Sequence, residues 1–104
     1  MVNVLRMWHG RVPTEKASAY RAFLERTAIP DYQSVDGCLS VRILESADGD
    51  VTHFITMTEW ESREHIVRFA GEDIEVAKYY PEDKAYLLEF EPHVVHYDVV
   101  AQAE

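Results

Sequence analysis

Cysteine occurs once, at Cys38, so the chain has no internal disulfide framework and fits a reducing, cytoplasmic setting. Glycine and proline are also sparse, four of each among 104 residues, which excludes collagen-like and low-complexity architectures. No stretch approaches the roughly 18 consecutive apolar residues that a membrane span needs. The opening residues, Met1 to Arg6, lack a basic region followed by an apolar core, and no secretory signal is expected. Basic side chains are scarce, ten against 19 acidic, for a formal charge of −9. Nucleic acids and anionic membrane surfaces are met with Lys and Arg clusters, so neither is an expected partner. The imbalance is uneven: residues 1–52 carry six basic and seven acidic side chains, residues 53–104 four and twelve. Glu72, Asp73 and Glu75 read as part of a solvated acidic face.

Apolar residues make up 47% of the chain and aromatics 12%, enough for a packed core and inconsistent with disorder. The length fits a single domain, residues 1–104 with a core at about 3–100. Val2 to Val12 alternates as a strand, with Val4, Arg6 and Trp8 on one side and Leu5, Met7 and His9 on the other. Thr14 is placed to cap a helix whose inner face carries Ala17, Tyr20, Phe23, Leu24 and Thr27. Pro30 is expected to end it near Ile29. Cys38 to Glu45 and Val51 to Trp60 form a hairpin around the turn Ala47-Asp48-Gly49-Asp50. Ser62 can cap a second helix reaching Ala70, with Ile74 to Tyr80 continuing it by a turn or two. Ala85 to Phe90 reads as irregular, and Val94 to Val100 as the last strand.

This order, strand-helix-strand-strand-helix-strand, most easily makes a ferredoxin-like α+β domain. Its four-stranded antiparallel sheet has order 4-1-3-2 and both helices on one face. The opposite face, around Met7, Ile55 and Met57 with His53 among them, is then apolar and uncovered. Pairing two such sheets removes that liability, so a homodimer is expected.

The run Thr58-Glu59-Trp60-Glu61-Ser62-Arg63-Glu64 resembles the antibiotic biosynthesis monooxygenase family of dimeric α+β barrels. There the third strand closes with Trp-x-Ser directly before the second helix. Asp36-Gly37 matches the turn before the family's second strand. Phe69-Ala70-Gly71-Glu72-Asp73, Tyr79-Tyr80-Pro81-Glu82-Asp83 and His96-Tyr97-Asp98-Val99 are similar to uncharacterised bacterial members. The likeness runs from about Asn3 to Val100. It implies a pocket between sheet and helices, and oxidation of a phenolic or quinol-type aromatic with molecular oxygen, without metal or flavin. The same architecture also serves haem-degrading enzymes, isomerases and ligand-sensing domains, so a sensor, a carrier of a hydrophobic metabolite or an isomerase are alternatives.

Under that resemblance Trp60 matches the strand-terminal tryptophan, and it is equally a core residue. Arg6 and Trp8 share the helix-facing parity of the first strand and are candidate substrate contacts. So is Thr56, nearest to the polar amide of the quinone-forming branch. Tyr79 and Tyr80 fall near the pocket mouth and, with His65 on the second helix, are the candidates for steering a proton. The haem-degrading branch uses an Asn, a Trp and a His. Here the histidine place falls near Tyr79 and Asn3 sits early in its strand, which argues against haem degradation. His93 and His96 are three apart in a strand and face opposite ways, so no metal site is expected. Cys38 reads as a small strand residue.

Overall fold

Two long central strands carry an unbroken two-residue alternation. In the computed structural model, which describes residues 2–103, β1 is Val4–Pro13 and β3 is Val51–Trp60. They pair antiparallel from Val4 opposite Trp60 to Pro13 opposite Val51. Val4, Arg6, Trp8 and Val12 of β1 and Thr52, Phe54, Thr56, Thr58 and Trp60 of β3 are buried on one face, the parity read from the sequence. β2 (Cys38–Asp48) lies outside β3 and β4 (Val95–Asp98) outside β1, so the sheet order is β2-β3-β1-β4, the expected 4-1-3-2. β2 runs three residues past Glu45 because the hairpin turn is tight. Gly49, with φ of +61°, and Asp50 are its whole loop.

The first helical run differs from expectation. A 3-10 turn (Thr14–Lys16) leads into α1 (Ala17–Phe23), a π-helical turn (Leu24–Ala28) and α2 (Ile29–Gln33). Pro30 does not end the run. It stands in the first turn of α2, where a missing N–H is tolerated. The π turn widens the backbone just before it, with Ile29 N–H bonded five residues back to Leu24. That opens the turn in which the proline ring would otherwise meet a carbonyl. Thr14 does not cap the helix either. Its hydroxyl donates to the Gly49 carbonyl at 2.7 Å and lies 2.9 Å from the Thr52 hydroxyl, tying the helix start to the hairpin.

α3 (Arg63–Ala70) begins on the Ser62 cap, whose hydroxyl accepts from His65 N–H, and stops at Gly71 with φ of +92°. The expected helical continuation from Ile74 to Tyr80 does not form. That segment is extended: Val76 bridges His93, Ala77 N–H donates to the Pro92 carbonyl, and Val94 N–H donates to Glu75. The carbonyls of Ile74 and Val76 are taken by Arg6, which a helix would forbid. A 3-10 turn, Pro81–Ala85, follows, and residues 71–94 as a whole form a strap alongside β1, bonded to it from Arg6 to Arg11.

The helices and the strap cover one sheet face. On the other, Leu5, Met7, Ile55 and Met57 are only half-buried, while Leu44, Val95 and Tyr97 are 40%, 50% and 56% exposed. No helix among the described residues is long and apolar enough to cross a membrane.

Gly37 joins α2 to β2 at φ of +94°, and a Cβ there would stand 2.3 Å from the His65 ring. Gly37→Ala should therefore lose about 2–4 kcal/mol in urea denaturation, from left-handed strain plus the clash. Gly49→Ala, at φ of +61° with nothing within 4 Å, should lose only the backbone part, about 1–2 kcal/mol.

Candidate active site

Beneath the helical run lies a void with about 250 Å³ of empty space, its open mouth included. The whole of it has room for about one water molecule. The floor is Trp8 and Thr56, which the β1–β3 register sets directly opposite one another. The roof is Tyr20, Leu24, Ala28 and Tyr32, a stripe with four-residue spacing. On an α-helix such a stripe drifts by about 40° per step. The wider π turn between Phe23 and Ile29 takes back part of that drift and keeps Tyr32 over the void. It also buries Ala28 where Thr27 was expected. The third wall comes from the strap: Lys78, Tyr80 and Asp83.

The mouth is held by Asp31 of α2. Its carboxylate accepts from the Tyr80 hydroxyl at 2.6 Å and from Lys78 Nζ at 3.1 Å. The Lys78 ammonium also lies 4.1 Å from the centre of the Phe69 ring. Deeper in, Asp83 is only 1% exposed. It accepts from the Tyr20 hydroxyl at 2.8 Å and from the Tyr80 backbone N–H at 2.6 Å. Burial raises the pKa of Asp83, against the pull of these two donors. Burial also raises the pKa of Tyr20, Tyr32 and Tyr80, and Asp83 and Asp31 add to it at Tyr20 and Tyr80. Tyr79 is pushed up to about 12 by burial and by Glu91. All four phenols are neutral at physiological pH, so they can donate protons in hydrogen bonds but cannot act as bases.

Trp8, Thr56 and Tyr80, read as candidates from the sequence, meet in this void. The Trp8 indole N–H is buried and has no partner among the described residues, which costs about 1–3 kcal/mol unless a ligand oxygen answers it. Tyr79 stands behind Trp8, its ring edge-on at 6.0 Å and its hydroxyl given to the Glu91 carbonyl. Trp60 is fully buried one layer further back, against Tyr32 and Phe69, with its N–H on the Thr58 hydroxyl at 2.8 Å. Arg6 is also set back. It donates to the Ile74 and Val76 carbonyls, lies 3.1 Å from His96 Nε2 and interacts with the Tyr32 hydroxyl. His65 is not part of the cluster: its ring packs at Gly37 with Nδ1 2.8 Å from the Ser62 hydroxyl.

Tyr20, Tyr32, Lys78 and Asp83 also line the void, with no motif in the sequence that marks them. The four-residue stripe is a usable signal for the tyrosines, masked because Pro30 reads as a helix stop. Gly10 has an unforeseen role, since a Cβ there would stand 2.5 Å from the Trp8 ring and 2.9 Å from Leu87. Its absence lets the indole lie back along its own strand. Among the described residues no group of three or more His, Cys, Asp and Glu side chains could hold a metal ion. Burial raises the Cys38 pKa, which keeps the thiol protonated.

The family model for antibiotic biosynthesis monooxygenases matches residues 1–73. No curated protein matches the chain. Among solved structures the fold is similar to that of a candidate antibiotic biosynthesis monooxygenase from Nitrosomonas europaea (TM-score 0.68, 19% identity, covering 94% of this chain and 90% of that one). It is also similar to a Streptomyces coelicolor monooxygenase solved with nanaomycin D (0.65, 16%, covering 99% and 92%). A haem-degrading protein from Mycobacterium tuberculosis is a third likeness (0.59, 17%, covering 99% and 97%).

Arg6 donates to His96 Nε2, so that nitrogen must be unprotonated, and burial followed by the Arg6 charge lowers the His96 pKa. The unfolded chain protonates this histidine near pH 6.5. The stability it contributes is therefore full above that pH and is lost as pH falls through it. Thermal melts should show the midpoint dropping between pH 7 and about pH 5, and the drop should be smaller in His96→Asn.

Proposed function

The chain belongs to the antibiotic biosynthesis monooxygenase family, and from that premise we propose that it oxidises a small phenolic or quinol-type aromatic with molecular oxygen, using no metal or flavin. The observation that carries this reading is the void itself: aromatic walls from Trp8, Tyr20, Tyr32 and Tyr80, polar groups of Thr56, Lys78 and Asp83 among them, and an indole N–H on Trp8 left without a partner among the described residues. An electron-rich phenolate can reduce dioxygen directly. The protein then needs to bind the phenol, exclude water, orient the ring and hold the oxygen on which charge develops. Trp8 and Thr56 are the substrate-binding floor, with the Trp8 N–H aimed at a substrate oxygen. Tyr80 closes the mouth and can donate to the substrate once it leaves Asp31. Trp60, Arg6 and Tyr79 brace these groups from behind. The nanaomycin D complex of the Streptomyces coelicolor protein supports an aromatic ligand in this fold.

With room for about one water molecule, the closed void is far smaller than the roughly 300–1,000 Å³ of ligand pockets. Binding a substrate there requires the Asp31 contacts to Tyr80 and Lys78 at the mouth to break while Asp83 keeps its bond to Tyr20.

The assembly belongs to the same proposal. The apolar open face, with Leu44, Ile55, Met57, Val95 and Tyr97, packs against its twin in a homodimer. Placing a charge there with Ile55→Asp should turn a dimer into a monomer at micromolar concentration in light scattering. A wild-type monomer would refute the dimer.

The activity is tested with an oxygen electrode, chelator-treated protein and a panel of hydroquinones and anthrones. Protein-dependent oxygen uptake is expected, and Trp8→Phe, which keeps an aromatic wall but removes the N–H, should slow it on the order of 10²-fold. No uptake with any member, alongside tight binding, would instead mark a carrier or sensor of hydrophobic metabolites.

A further inference from the structure

We infer that Asp83 is the general base of this site, taking the proton from the substrate's phenolic hydroxyl. The inference rests on the phenol-oxidising reading above and assigns a residue that lies outside the span matched by the family model.

Two side chains lining the void are charged, Lys78 and Asp83. Lys78 is turned to Asp31 at the mouth. Asp83 lies deeper, 1% exposed, and among the described residues no cation is within ion-pair distance of it. Burying a carboxylate without a cation costs several kcal/mol. At the Pro81–Ala85 turn one carboxyl oxygen accepts from the Tyr80 N–H and the other from the buried Tyr20 hydroxyl, so its partners are two neutral donors and no cation.

An ionised carboxylate has about four acceptor positions, and Tyr20 and Tyr80 fill two. The remaining capacity belongs to a group that lines the void with Trp8. The competing bases are absent from it: the tyrosines stay neutral, His65 packs at Gly37, and His96 already accepts from Arg6. Desolvation brings the carboxyl closer in basicity to a phenol, the direction a base for this step needs.

The step is a single proton transfer. The phenol O–H bond breaks, its electron pair stays on the phenol oxygen, and the proton forms an O–H bond on Asp83. The phenolate then gives one electron to dioxygen, the co-reactant, and becomes a phenoxyl radical as dioxygen becomes superoxide.

The experiment compares the intact protein with its Asp83→Asn and Tyr20→Phe variants. The first readout needs no turnover. 4-Nitrophenol, which changes colour on ionising, is titrated while bound. On the wild type it should ionise at a pH at least about one unit above its value in free solution, because its phenolate would meet the Asp83 charge, and Asp83→Asn should abolish the displacement. The second readout is anthrone-dependent oxygen uptake. Asp83→Asn should lower kcat by about 10²–10⁴-fold with KM little changed. Tyr20→Phe removes one donor from the carboxylate while keeping the ring that packs on Phe23 and Phe54. Its acid limb of kcat/KM should move to higher pH.

Equal 4-nitrophenol titrations in wild type and Asp83→Asn would overturn the assignment, and so would a kcat within about threefold of wild type. Should Asp83→Asn fail to fold, an unmoved acid limb in Tyr20→Phe overturns it alone. An Asp83-dependent 4-nitrophenol shift with no oxygen uptake by the wild type would uphold the proton-accepting placement and sink the monooxygenase reading.

Discussion

Arg6 is buried in the helix-covered face of β1, and no carboxylate among the described residues lies within ion-pair distance of it. Its charge is met by backbone carbonyls at Ile74 and Val76 and by His96 on β4, with Tyr32 near it, while its Nε has no partner among the described residues. Burial lowers its pKa and Tyr32 works against that loss. A guanidinium can satisfy several separated acceptors at once because its donors are fixed in a fork. Strap, edge strand and second helical segment thus converge on one side chain. The strap in turn delivers Lys78, Tyr80 and Asp83 to the void, so the site's third wall depends on a residue that does not line it.

The sheet was legible because period two is hard to mistake when both strands run ten residues. Parity alone put Arg6, Trp8, Thr56 and Trp60 on the covered face, and the register then set Trp8 across from Thr56. The helical run was half legible. Pro30 is a sound stop signal for an α-helix, and no local pattern announces the π turn that lets the chain pass it. The strap was the least legible part. Its conformation follows from long-range bonds to Arg6 and across to Pro92 and His93, none of which leaves a periodic mark. Asp83 escaped notice for the same reason. Its burial is decided by Tyr20, 63 positions away.

His65 carries two sequence signals at once. A histidine following a family-like tryptophan on a helix invites a chemical role, yet a helix start also needs capping and Gly37 needs a flat neighbour. The structure gives the side chain to the cap, with Nδ1 2.8 Å from the Ser62 hydroxyl.

Gly10 touches the void only through what it lacks. Because Trp8 leans back into the space a side chain would fill, the indole lines a wall instead of plugging the cavity. The bore of the site is therefore adjustable from a position outside its lining. A single methyl at residue 10 would act on the tryptophan as a wedge, and relatives could diverge in substrate girth with every lining residue unchanged.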